Sequence, residues 1–153
     1  MWWIYNCWLR IKMNVCHNVA ITREIKHFAP FVYCHGLSSF RTMATGTCKD
    51  LASQGFIVFV PDFKDGTCAY WVDHDGSEQN YKNSEVNDMP LRSKQLKIRV
   101  EEATALVDEI FEKDFILKFR TQMNLSPEQD FDLDKFVIGG HSFGGITSLT
   151  VCT

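Results

Sequence analysis

Lys135-Phe136-Val137-Ile138-Gly139-Gly140-His141-Ser142-Phe143-Gly144-Gly145 is the stretch that decides how this chain folds. Lys135 to Gly139 is a short, mostly apolar run and reads as a buried strand. Ile146, Thr147, Leu149 and Val151 follow and read as the opening of a helix. Between the two, Gly140 to Gly144 forms the pattern G-x-S-x-G. A serine at so tight a strand-to-helix turn needs small neighbours, because a Cβ at Gly140 or Gly144 would collide with the adjoining strand or helix. The turn lifts the Ser142 hydroxyl above the sheet edge, and the helix N-terminus points at any negative charge that develops on a substrate. The plainer alternative is a glycine-rich turn that happens to contain serine, and the strand and helix on either side argue against it.

Working outward from that turn, strands alternate with helices. Val19, Ile21, Arg23 and Ile25 follow an alternation that suits a half-buried strand, Pro30 punctuates, and Phe31-Val32-Tyr33-Cys34 is a buried strand ending in His35-Gly36. From Ser38 or Ser39, both N-cap residues, to Gln54 the pattern is helical, with Gly55 as the stop. Phe56 to Val60 is a second buried strand. Residues 61–89 are polar and aperiodic and read as a long loop excursion off the sheet. From Pro90 a helix carries Leu96, Val100, Ala103, Val107, Ile110 and Phe111 inward, with Arg99, Glu102, Glu109 and Lys113 outward. Ser126-Pro127-Glu128-Gln129 has the form of a capping box opening a short helix. The class is α/β, a mostly parallel sheet with helices on both faces, in one domain over residues 1–153 whose first 29 residues are poorly defined.

Composition narrows the functions. With 153 residues and 45% hydrophobic content the chain can bury a core, and a net charge of -3 without basic clusters excludes a nucleic-acid groove. Cys7, Cys16, Cys34, Cys48, Cys68 and Cys152 show neither a C-x-x-C pair nor zinc-site spacing, so they read as buried thiols of a reducing compartment, with no metal. Met1 to Leu9 is aromatic and apolar, but Arg10 and Lys12 interrupt it; it is neither a convincing signal peptide nor a membrane span. Trp2, Trp3, Tyr5 and Trp8 would suit a weak interfacial anchor, and an edge strand is the plainer reading. Localisation is therefore expected in the cytoplasm or at a membrane periphery.

His35-Gly36-Leu37-Ser38 at the end of the earlier strand is the second chemical feature. In the α/β-hydrolase fold that position supplies an oxyanion-hole N–H, the other coming from the residue after the nucleophile. The backbone N–H groups of Leu37 and Phe143 are assigned this role, supported by His35, Gly36, Gly140, His141, Gly144 and Gly145. Losing one such donor typically costs about 3 kcal/mol of barrier.

Three segments taken together resemble one family. Cys34-His35-Gly36-Leu37-Ser38-Ser39-Phe40-Arg41-Thr42, Leu51-Ala52-Ser53-Gln54-Gly55-Phe56-Ile57-Val58 and Gly140-His141-Ser142-Phe143-Gly144-Gly145 look like the platelet-activating factor acetylhydrolase family, as do Leu91-Arg92, Gln95 and Arg99. The resemblance implies a calcium-independent phospholipase A2 that cleaves the short sn-2 acyl ester of a glycerophosphocholine lipid. It also implies Ser142 as nucleophile, a phospholipid substrate met at a lipid surface, and no cofactor.

One departure stands out. In this fold the acid and base follow the nucleophile, yet only Phe143 to Thr153 follow Ser142. His141 should point away from the nucleophile, and His35 should order the oxyanion loop. His74 lies in the excursion, and His17 and His27 precede the first clear strand. Asp62 and Asp65 read as loop-ordering carboxylates. The chain is thus expected to be an incomplete α/β-hydrolase domain. Two other readings stand beside the esterase: a catalytically inactive lipid- or protein-binding remnant, and a different α/β-hydrolase esterase.

Overall fold

β1 (His27–Cys34) organises the sheet, and the structure, a computed structural model, describes residues 15, 16, 19–82 and 87–153. Its even-numbered residues Phe28, Pro30, Val32 and Cys34 are buried and Ala29, Phe31 and Tyr33 partly so, as expected of a strand covered unequally on its two faces. β2 (Phe56–Phe59) pairs with it in parallel, Ala29 to Val32 facing Phe56 to Phe59. The opposite edge is filled by two strands in succession. β5 (Asp130–Phe131) lies beside His27 and Phe28, and β6 (Val137–Gly140) beside Phe31 to Cys34, again in parallel. A single turn of 3-10 helix at Leu133–Lys135 joins them.

The helices cover both faces. α1 (Thr45–Ser53), entered through a 3-10 turn at Arg41–Ala44, packs on β2, and its Cys48 lies near Tyr33. The other face holds α2 (Met89–Phe111), α3 (Lys113–Gln122) and α4 (Phe143–Val151). There Val32, Cys34, Phe63, Ala103 and Ile110 form the core, with Leu106, Val107, Ile138 and Val151 packed against it. This is the expected α/β class, with strands parallel wherever a helix intervenes. Among the described residues no helix is long and apolar enough to cross a membrane. The aromatic N-terminal stretch and its anchor lie outside the described residues.

Several local expectations are corrected. Val19 to Ile25 is not a strand: the Gln129 side-chain amide donates to the carbonyls of Thr22 (2.7 Å) and Ile25 (2.9 Å), so their hydrogen bonds do not go to a ladder. Pro30 lies within β1 rather than before it. The first helix begins later than Ser38 or Ser39, because Ser38 sits at φ 53 and the Phe40 backbone is extended. The 61–89 excursion contains a hairpin, β3 (Tyr70–Val72) against β4 (Glu78–Asn80).

Ser126 to Gln129 forms a turn without a helix. Gln129 does reach back to the Ser126 N–H (3.1 Å), so half of the capping box is present with nothing to cap. The helical pattern from Pro90 breaks at Glu112, whose backbone is extended (ψ 133), and restarts as α3. α3 places Phe115 and Phe119, one turn apart, against Phe59; Phe119 and Phe131 meet edge-on at 5.1 Å. Phe131→Ala should cost about 3–5 kcal/mol of unfolding free energy, read by denaturant titration, because this cluster ties β5 to β2 and α3.

Candidate active site at the strand-to-helix turn

Ser142 follows β6 directly and stands at φ 55, ψ -120, outside the regions an L-residue ordinarily adopts. The sharp reversal expected from the glycine pattern is present. A Cβ at Gly140 would lie 2.4 Å from the Cys34 carbonyl oxygen and 2.7 Å from Gly144 backbone. One at Gly144 would lie 2.0 Å from the same oxygen. Both glycines are therefore required by the close crossing of the turn over the end of β1. Ser142 and His141 are exposed, while Phe143 and Gly144 are buried beneath them.

β1 and β6 run in parallel, so the loops that follow them leave the same edge of the sheet. A Cβ on Gly36 would meet the His141 carbonyl oxygen at 3.2 Å and the Ser142 Cβ at 3.4 Å, which sets the His35–Ser38 loop against the serine turn. Ser38 N donates to Thr67 O (2.9 Å) and Gly144 N to His141 O (2.9 Å). Among the described residues the N–H groups of Leu37 and Phe143 have no acceptor, so they remain available to an anion. The Ser142 hydroxyl likewise has no hydrogen-bond partner among the described residues.

Arg99, read from the sequence as outward-facing, is instead wholly buried at 0% exposure. Its guanidinium reaches every part of the site's foundation. Nε donates to Asp65 Oδ2 (2.8 Å), Nη1 to the His35 carbonyl (2.6 Å) and Nη2 to Thr67 Oγ1, and the Gly36 carbonyl lies 3.5 Å from Nη2. Its plane lies over the Phe63 ring (4.4 Å) and the Phe143 ring (4.8 Å). Asp65 Oδ1 meanwhile accepts from Thr67 N (3.0 Å) and Thr67 Oγ1 (2.6 Å). Burial pulls the Arg99 pKa down and Asp65 pushes it back, and a guanidinium stays charged throughout. The signal for this role was available: Arg92, Gln95, Arg99, Ala103 and Ile110 recur at helical spacing and form the buried stripe of α2.

The remaining titratable groups separate into supports and bystanders. His35 is buried, its Nδ1 on the Gly36 carbonyl (2.8 Å), and burial holds its pKa below the usual imidazole value. That contact ties the ring to the loop that follows β1. Asp62 accepts from Arg41 N (2.7 Å) and Arg41 Nη1 (2.5 Å), also ordering a loop. His74 is exposed on Asp73, whose carboxyl the His74 hydrogen bonds hold at about 2. Among the described residues His35, Asp62 and Cys68 are the group of side chains able to hold a metal ion.

Comparison with known proteins bears on this geometry. The family model for platelet-activating factor acetylhydrolase, isoform II, matches residues 5–153. The platelet-activating factor acetylhydrolase of Bos taurus is 32% identical over 133 residues, which cover 76% of this chain and 30% of the relative. That of Canis lupus familiaris is 29% identical over 134 residues, 77% and 30%. The chain thus spans about 30% of the length of the curated relatives it matches. A solved structure of an uncharacterized protein from Bacillus cereus ATCC 10987 aligns over 97% of this chain and 35% of its own, at 13% identity and a TM-score of 0.43.

Two substitutions, each paired with a comparison variant, check this foundation. Arg99→Met leaves the Asp65 carboxylate buried without its partner and should cost about 3–5 kcal/mol, with part recovered in the Arg99→Met/Asp65→Asn double variant; urea unfolding measures both. Gly144→Ala should cost about 3 kcal/mol or more, since the new methyl has no room against Cys34, whereas Gly145→Ala, where the nearest atom is the Gly140 carbonyl oxygen at 3.5 Å, should cost far less.

Proposed function

This chain belongs to the platelet-activating factor acetylhydrolase, isoform II, family, and on that premise we propose that it is built for serine ester hydrolysis of short sn-2 acyl chains on phospholipids. Ser142 Oγ attacks the ester carbonyl, and the N–H groups of Leu37 and Phe143 receive the oxyanion of the tetrahedral intermediate. Collapse expels the lysophospholipid alcohol and leaves an acyl-enzyme that water hydrolyses. The substrate is met at a lipid surface by peripheral contact, and the chemistry asks for no cofactor.

The single observation that carries this reading is the contact between the two loops: Gly36 lies so close to the serine turn that a Cβ there would touch Ser142 Cβ at 3.4 Å. Only in that arrangement can amides from both loops reach one oxygen. The reaction also needs an imidazole to take the Ser142 proton and a carboxylate to orient it. These are not among the groups bonded to Ser142 here, so the reading assigns them to the part of the family fold that follows the nucleophile.

The unpartnered hydroxyl favours a second reading, in which this chain by itself is a catalytically silent lipid- or protein-binding remnant. Without a base a serine is a weak nucleophile, and oxyanion stabilisation and binding alone leave roughly 10³-fold over water. A fluorophosphonate probe separates the two. Covalent labelling of Ser142, lost in Ser142→Ala, is expected of the esterase; no labelling of a folded chain favours the remnant. Faster cleavage of acetyl than of long-chain sn-2 phospholipids would distinguish this esterase from other α/β-hydrolases.

A further inference from the structure

His35 ends the loop's approach from β1, Asp62 follows β2, and Cys68 lies before the β3–β4 hairpin, so three separate stretches of chain meet at one place. One ligating atom from each lies within 4.8 Å of the others, with His35 and Cys68 buried and the Asp62 side chain 7% exposed. We propose that these three side chains form a binding site for a borderline-soft divalent cation, Zn²⁺ foremost. This assignment is independent of the hydrolase reading.

The imidazole is already oriented as a metal ligand. Its Nδ1 is engaged with the Gly36 carbonyl at 2.8 Å, which places the hydrogen there and leaves the Nε2 lone pair facing inward. Metal-bound histidines regularly have their second nitrogen tied to a carbonyl or carboxylate in this way. The Nε2 contact with the Phe63 backbone nitrogen is a long one, 3.5 Å, and little is lost in giving it up. Arg41 binds both Asp62 oxygens, its N–H on the Oδ1 that also faces Cys68 and its Nη1 on Oδ2, and a carboxylate retains lone pairs beyond those two bonds. Cys68 Sγ lies 3.6 Å from Asp62 Oδ1 and 3.4 Å from the Tyr70 carbonyl, so the sulfur already faces polar groups.

Bond lengths of about 2.0–2.1 Å to nitrogen and 2.3 Å to sulfur put ligand atoms of a tetrahedral zinc roughly 3.3–3.8 Å apart. Closing from 4.8 Å asks for side-chain shifts on the order of 1 Å. One nitrogen, one oxygen and one sulfur suit zinc better than magnesium or calcium, and three protein ligands leave the fourth position to water. On binding, the Cys68 thiol proton leaves to solvent and the thiolate takes the metal, with no change of oxidation state. Since His35 leads directly into Gly36 and Leu37, a bound cation would lock the loop beside Ser142.

Cobalt(II) serves as the probe. Titrated into the full chain, it should bind with one equivalent and give a thiolate-to-cobalt charge-transfer absorption. That absorption should vanish in Cys68→Ser, weaken at least about tenfold in apparent affinity in Asp62→Asn, and persist in Cys48→Ser. No such absorption, or one that survives in Cys68→Ser, overturns the site. X-ray absorption of the zinc-loaded wild-type chain needs no variant: one sulfur at about 2.3 Å with a nitrogen and oxygen shell supports the assignment, and a shell without sulfur refutes it.

Discussion

The buried contact between Arg99 and Asp65 is the constraint on which the rest of the site rests. Both side chains are 0% exposed, a position neither charge could hold alone, since an uncompensated buried ion costs several kcal/mol. The pair is tolerated because every polar atom has work. The guanidinium serves Asp65, Thr67 and the His35 carbonyl, and the carboxylate serves Arg99 and Thr67. The consequence is geometric. One planar cation fixes the loop after β1, the loop after β2 and, through the Phe143 ring, the first turn of α4. Three segments distant in sequence are held in one relation by a group that never touches the solvent face of the site.

Ser142 shows the other side of that arrangement. Its strained backbone persists only because the surroundings over-determine it: the Gly144 N–H on His141 O, the Gly145 N–H on Ser142 O, and glycines where any Cβ would strike Cys34. The histidines nearby have different duties. His35 is tied beneath the loop through its Gly36 contact, while the His141 ring lies beside Gly36 on the exposed turn, and among the described residues neither ring is hydrogen-bonded to the Ser142 hydroxyl. The rigid scaffold and the exposed alcohol are both present, and membership of the acetylhydrolase family gives the scaffold its context.

How much of this was legible in the sequence follows from how local each signal is. The serine turn was readable because its glycines and its flanking strand and helix are contiguous. The α2 stripe was readable at Ala103 and Ile110 but misread at Phe111, which is exposed, and at Arg99, because a charged residue on a helix is normally solvated and its partner, Asp65, sits in a loop with no periodicity. Val19 to Ile25 had the alternation of a strand and failed to be one, since Gln129, more than a hundred residues later, took its carbonyls. Ser126 to Gln129 carried a cap signature that the chain used to secure that same segment. In each case a distant hydrogen bond overrode a correct local preference.

β1 gains its neighbour β2 from residues soon after it, but its other edge is completed only by residues 130–140. During synthesis, then, a hydrophobic central strand emerges with one side unsatisfied and stays so until residues 130–140 have left the ribosome. Loop-closure entropy makes such a late parallel pairing slow, and an open apolar edge is meanwhile a template for other chains. The architecture that aligns two loops at one sheet end thus leaves completion of the sheet to a pairing distant in sequence, with one edge of β1 open to strand addition until it forms.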